Sequence, residues 1–187
     1  MLYCKRKRHY IEPFAPPHYN HTSKDNMQLL LKQRFFSWFD SFDIYDEQGN
    51  TKYVVRGELG LAHKFSIYDS HDNYIGSIAQ RAFTLRYTFN FDVTNPDGSG
   101  TLQGSVIKQF TLFNTSIVVN CNRNYSLYGS WPGWDYTVYR DNQTCATFSK
   151  KLFNLTDTYV CEYANPEDEL MCIVLLVAID AIKCSQN

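Results

Sequence analysis

The chain predicts a mainly β fold, an antiparallel closed barrel of about twelve strands enclosing a central hydrophobic C-terminal α-helix. Two observations carry this expectation. Ten consecutive apolar residues, Leu170 to Ile179 (LMCIVLLVAI), stand near the C-terminus, and the chain before them alternates short strand-like runs with turns. Aromatic residues make up 16% of the sequence, which suits a wide β interior.

The apolar run reads as a helix because of what precedes it. Asn165 offers an N-cap, Pro166 fits the first helical position, and Glu167 and Asp168 place acids in the first turn. The expected helix covers 166–184. It is apolar on every side, so protein or lipid must surround it. Length argues against lipid: ten residues at ~1.5 Å each give about 15 Å, half of a hydrocarbon core of roughly 30 Å. Extending the run through Ala181 and Ile182 would carry Asp180 into the bilayer at about 3 kcal/mol. A tilted strand in a closed barrel reaches about 20 Å along the axis, and the run fits that height.

The strands follow from period two. Phe83, Leu85, Tyr87, Phe89, Phe91 and Val93 alternate with polar residues and predict one strand with a buried and a wet face. Asn95-Pro96-Asp97-Gly98 then turns the chain. Phe42-Asp43-Ile44-Tyr45-Asp46 recurs 23 residues later as Phe65-Ser66-Ile67-Tyr68-Asp69, each followed by a turn (47–50 and 70–73) and a second strand. A weaker echo covers 136–142. Strand, acid-led turn, strand is a hairpin unit, and a string of them gives about a dozen strands. An open sheet of that size exposes edges and an apolar face, whereas closure removes the edges. The interior is then too wide for side chains alone to fill. The apolar helix supplies the plug.

One folded unit is expected over 27–187, preceded by a flexible basic extension, 1–26, with Pro, three of the five His (His9, His18, His21) and no periodicity. That extension carries +3, and the rest holds 13 basic and 17 acidic residues, so −4. Such a domain has no bulk basic excess for nucleic acid. The six cysteines form no CxxC pair and no hydrophobic signal segment opens the chain. Reduced thiols and a cytoplasmic location, at most peripheral to a membrane, are the expectation. The sequons at Asn20, Asn114, Asn124, Asn142 and Asn154 then mark turns rather than glycans.

Three stretches carry a family resemblance: 29–38 (LLLKQRFFSW), Phe42-x-Ile44-Tyr45-Asp46 with Gly49 in its turn, and Pro166-Glu167-Asp168 through to Val177-Ala178-Ile179-Asp180-Ala181-Ile182. In this order they resemble the LURP-one-related family, of the Tubby C-terminal-like superfamily that also holds phospholipid scramblases. The resemblance spans approximately 27–184. It implies a twelve-stranded barrel wrapped around a central C-terminal helix. Tubby proteins bind phosphoinositides through basic surface residues, scramblases are linked to calcium and lipid movement, and plant members to pathogen response. No Tubby lipid-binding motif matches this chain residue by residue.

Phosphate-loop, dinucleotide, zinc-protease and hydrolase signatures are missing from the sequence, so no catalytic, cofactor or metal residue is assigned. His71-Asp72 reads as turn chemistry before a general base with its orienter. Asp69, Asp72 and Asn73 offer oxygens to calcium but miss the EF-hand spacing. Asp180 is expected at the barrel mouth, in water or paired with a nearby Lys or Arg such as its i,i+3 neighbour Lys183, the alternative being a functional carboxylate inside the barrel. Arg81 and Arg86 with Lys150 and Lys151 are candidates for an anion or lipid patch, if strand order brings them together. Trp131 and Trp134, in a Trp-Pro-Gly-Trp turn, are candidate partner anchors, against burial at a barrel end. The function expected is a non-catalytic binding or regulatory domain recognising a membrane phospholipid headgroup or a protein. The alternatives are a small-molecule carrier or enzyme using a residual barrel cavity, and a purely structural interaction module.

Overall fold

The computed structural model of the chain describes residues 26–33, 41–58, 60–111, 114–130, 134–153 and 156–185. Twelve strands follow one another: β1 (Met27–Gln33), β2 (Phe42–Tyr45), β3 (Thr51–Glu58), β4 (Lys64–Asp69), β5 (Tyr74–Gln80), β6 (Thr88–Thr94), β7 (Thr101–Lys108), β8 (Asn114–Asn120), β9 (Asn124–Ser130), β10 (Asp135–Arg140), β11 (Gln143–Phe153) and β12 (Thr156–Tyr163). Each pairs antiparallel with its chain neighbour, and β1 closes the ring against β12 with Met27 opposite Tyr163 and Lys32 opposite Thr158. A 3₁₀ turn, Pro166–Asp168, leads into α1 (Glu169–Ser185). The first strand begins at Met27. The basic extension with His9, His18 and His21 lies outside the described residues up to position 25, as does 34–38 of the first family stretch.

Period two governs the wall as expected. Phe42 and Ile44 on β2, Phe65 and Ile67 on β4, and Phe89, Phe91 and Val93 on β6 all turn inward and are buried. They meet α1, on which every side chain from Leu170 to Ile182 is buried and most are fully enclosed. A helix apolar on all sides is satisfied only in such a place. No helix among the described residues is long and apolar enough to cross a membrane.

The repeat noted in sequence is a repeated hairpin. In the first, the Asp46 carboxylate accepts from the Gln48 and Asn50 amides and from Asn50 Nδ2. In the second, Asp69 does the same for His71 and Asn73. A side chain that mimics a turn's backbone is the reason each repeat ends on Asp. Where β5 crosses β6, Gly76 sits at φ 155°, and a Cβ there would lie 2.2 Å from Asp92 O. Only glycine allows that approach.

Three expectations need correction. The strand read over 83–93 begins at Thr88, because Arg81 N donates to Thr88 O and closes the chain into a connection there. Phe83 and Leu85, which continue the alternation, are exposed instead of buried. Asn165 occupies the N-cap position with φ −129° and ψ 136°, but its side chain makes no capping hydrogen bond; Pro166 and the acids define the start. Asp180 is not in water at the mouth: it is fully buried in the last turns of α1. The wall reaches further along the helix than the apolar run alone suggests.

Candidate functional site

Hairpin connections alternate between the two ends of the barrel, and the ends differ in chemistry. At the end where α1 begins, three successive acids are each held by the wall. Glu167 is paired with Arg123 at 2.7 Å and with Arg140. Asp168, fully buried, accepts from Tyr125 OH at 2.7 Å and lies 3.0 Å from Arg140. Glu169 accepts from Lys52 Nζ at 2.7 Å, from Tyr53 OH at 2.6 Å and from Tyr163 OH. Burial first, and then the hydrogen bond to Glu169, holds the Tyr53 and Tyr163 hydroxyls protonated far above their ordinary range. These donors are all engaged by the helix start. Their contacts fasten the plug to β3, β9, β10 and β12.

The other end gathers the connections after β3, β5 and β7 around the end of α1. His63 Nε2 lies 3.0 Å from Ser185 Oγ and stacks parallel to Phe65. Gln80 N donates to His63 O, and Lys108 N donates to Tyr87 O, so the three connections are laced side by side. They carry the four most exposed large apolar side chains of the described residues: Leu61 at 103%, Phe83 at 103%, Leu85 at 95% and Phe110 at 74%. Phe83 has φ 58°, a left-handed conformation that a bulky side chain adopts at a cost of roughly 1–3 kcal/mol. The connection is braced from within. Thr84 Oγ1 donates to Arg86 O at 2.6 Å, and Thr88 Oγ1 donates to the same carbonyl at 3.1 Å. An apolar tip held this firmly in solvent is not a packing accident of a loose loop.

Both nominated arginines belong to this connection. Arg81 and Arg86 are exposed and make no ion pair with an acid among the described residues. Arg86 donates to Gln109 Oε1 at 3.1 Å, and its guanidinium lies 5.3 Å from the Phe110 ring centre. With Leu61, Phe83 and Leu85 they line an open groove of about 380 Å³.

Lys150 and Lys151 stand at the same end but on another side. Four strands separate β11 from β6 one way round the ring, and five separate it from β5 the other way. Strand order therefore does not bring the four basic residues together. Lys150 is opposite Tyr159 on β12, whose ring stacks on Trp134 at 3.9 Å. Lys183 Nζ lies 4.1 Å over the Trp134 ring, and burial together with Lys150 pushes its pKa down to about 8, with Asp180 opposing. Trp134 itself is buried, at φ 57°, with its indole against the core. Trp131 lies outside the described residues.

The turn acids are occupied, Asp69 within its own hairpin and Asp72 by the neighbouring strand β3. Asp69 binds the turn donors of Asn73 and His71, which hold its carboxyl below the usual range, and Asp72 pairs with Arg56 at 2.5 Å. His71 is exposed and touches Ser70. Sequence reading missed Leu61, Phe110 and the outward role of Phe83 and Leu85. The available signal was that the period-two run is eleven residues long in a barrel whose strands are mostly six to eight.

Two comparisons bear on kinship. The family profile described as LURP-one-related matches residues 27–180, from the first residue of β1 to the last turns of α1. The "Uncharacterized protein YxjI" of Bacillus subtilis (strain 168) is 24% identical over 157 residues, 83% of this chain and 93% of that protein. The ring of twelve strands, the enclosed helix and the profile match agree on one conclusion: the chain belongs to the LURP-one-related family.

Proposed function

We propose that this chain is a non-catalytic binding domain that docks on anionic membrane surfaces with the end of its barrel where α1 terminates. The observation that carries the reading is the grouping of Leu61, Phe83, Leu85 and Phe110, all exposed, on three adjoining connections at that end. Single exposed apolar residues are ordinary, whereas a group of them rimmed by polar residues marks a contact surface. Cations accompany the group: Arg81 and Arg86 stand within it and Lys108 where β7 meets the adjoining connection, while Lys150 and Lys151 are at the same end on another side of the ring. Apolar tips enter the boundary between headgroups and acyl chains, and each nearby Lys or Arg adds about 1 kcal/mol on an anionic leaflet. The helix along the barrel axis argues against the alternative, a ligand carried inside.

Flotation with vesicles tests the reading. The chain is expected to float with phosphatidylcholine vesicles containing phosphatidylglycerol and much less with phosphatidylcholine alone. Binding should weaken as salt rises from about 0.05 to about 0.5 M. Replacing Arg81 and Arg86 by Gln should weaken it more than replacing Lys150 and Lys151. Equal flotation by the double variant Phe83→Ser, Leu85→Ser would sink the proposal.

A further inference from the structure

We infer that the groove in the connection between β5 and β6 seats one anionic phospholipid molecule, its phosphate between Arg81 and Arg86 and its acyl chain against Leu61, Phe83 and Leu85. The inference rests on the docking reading and deepens it, from a surface that touches many lipids to a site that holds one.

Four features point to a single bound molecule. The groove, at about 380 Å³, falls within the roughly 300–1,000 Å³ of small-ligand clefts. Its two cations are arginines, whose planar forks match phosphate oxygens in pairs, and no acid among the described residues lines the groove to compete for them. The Arg86 guanidinium donates to Gln109 and lies 5.3 Å from the centre of the Phe110 ring, two contacts that restrict where it sits. A guanidinium carries five N–H donors, so this contact leaves most of its capacity for a ligand. The connection is also built before any ligand arrives, through the two threonine hydroxyls that donate to Arg86 O. A pre-set site loses less freedom on binding than a loose one. Charge and grease lie in one groove: a phosphate alone leaves Leu61, Phe83 and Leu85 wet, a lipid without phosphate leaves both arginines without a counter-charge, and phosphatidylcholine brings its phosphate together with a choline cation that the arginines repel.

Short-chain lipids below their micelle concentration separate this site from vesicle docking. Titrating the full chain with dihexanoylphosphatidylglycerol, followed by calorimetry and by amide chemical shifts, should give saturable one-to-one binding with shifts centred on 81–87. Dihexanoylphosphatidylcholine and inorganic phosphate should each bind at least tenfold more weakly. The double variant Arg81→Gln, Arg86→Gln should lose at least tenfold in affinity, and Arg81→Lys, Arg86→Lys should recover only part of it. Should the glutamine variant fold poorly, the shift map of the unaltered chain decides, since shifts centred elsewhere overturn the site. Equal affinity for inorganic phosphate overturns the lipid assignment. Vesicle flotation without saturable binding of the short-chain lipid overturns the groove and leaves the docking surface standing. Saturable binding without flotation does the reverse.

Discussion

The two ends of this barrel solve opposite problems with similar residue types. Where α1 begins, charged side chains point at one another: Glu167, Asp168 and Glu169 are each matched by Arg, Lys or Tyr from the wall. Where α1 ends, Arg81 and Arg86 have no acidic match among the described residues, and four large apolar side chains stand in solvent. Buried polar groups without partners are costly, so the first end is a fastening. Exposed apolar groups that stand together mark a contact surface. One end fastens the helix to the wall and, on the proposed reading, the other end recognises a surface.

Substitutions can break or sharpen that contrast. The largest effect is expected from Glu169→Ala. It removes a buried carboxylate shared by Lys52, Tyr53 and Tyr163 and should cost roughly 3–5 kcal/mol. Thermal unfolding should show it as a fall in Tm of roughly 6–20 °C, while vesicle binding per folded molecule stays unchanged. Phe83→Ser with Leu85→Ser should behave oppositely, with vesicle affinity down at least tenfold and Tm moved by no more than about 2 °C. A large loss of Tm in that variant would mean that the exposed tips are part of the core after all.

Phe83→Gly is a finer probe, because it relieves a left-handed residue and removes its ring together. Stability should rise by about 1 kcal/mol in denaturant titration as docking weakens. Asp72→Gly makes the same relief at the opposite end, where φ is 65°, though it also gives up the pair with Arg56; it should leave docking alone. The smallest effect concerns Lys183. Its folded pKa, about 8, lies below the ordinary 10.5 because burial and Lys150 disfavour the ammonium. The folded state therefore holds fewer protons than the unfolded one across that window, and this contribution to stability grows as pH rises from 8 toward 10.5. Comparing the unaltered chain with Lys183→Met at about pH 8 and about pH 9.5 should show the gap shifting in favour of the former. A gap that is flat, or shifts the other way, removes the assignment.

Architecture was the legible part of this sequence. The run Leu170–Ile179 needs enclosure, the Asp-led turns at Asp46 and Asp69 define hairpins, and closure follows from the number of strands. Those features depend on neighbours in sequence. The candidate site depends on where a strand stops, and alternation carries no mark for that. Leu85 and Phe89 look alike until Arg81 pairs with Thr88 and ends the wall between them. Grouping was equally hidden. Lys150 and Arg81 are both basic and both at one end, yet ring order sets them on different sides. Asp180 shows the same limit from inside, since burial of a carboxylate is set by strands far away in the chain.

The seam between β1 and β12 has a consequence for biosynthesis. Met27 pairs with Tyr163, so the earliest strand waits for the latest before either edge is covered. Closure thus demands contacts of very long sequence separation, which form slowly. A ribosome moving at about 5–20 residues per second leaves β1 with an open flank for roughly 7–27 s while the intervening stretch emerges. Until α1 emerges the ring also lacks the helix that fills it, so a nascent chain halted before residue 156 keeps both an unpaired strand edge and an unfilled interior.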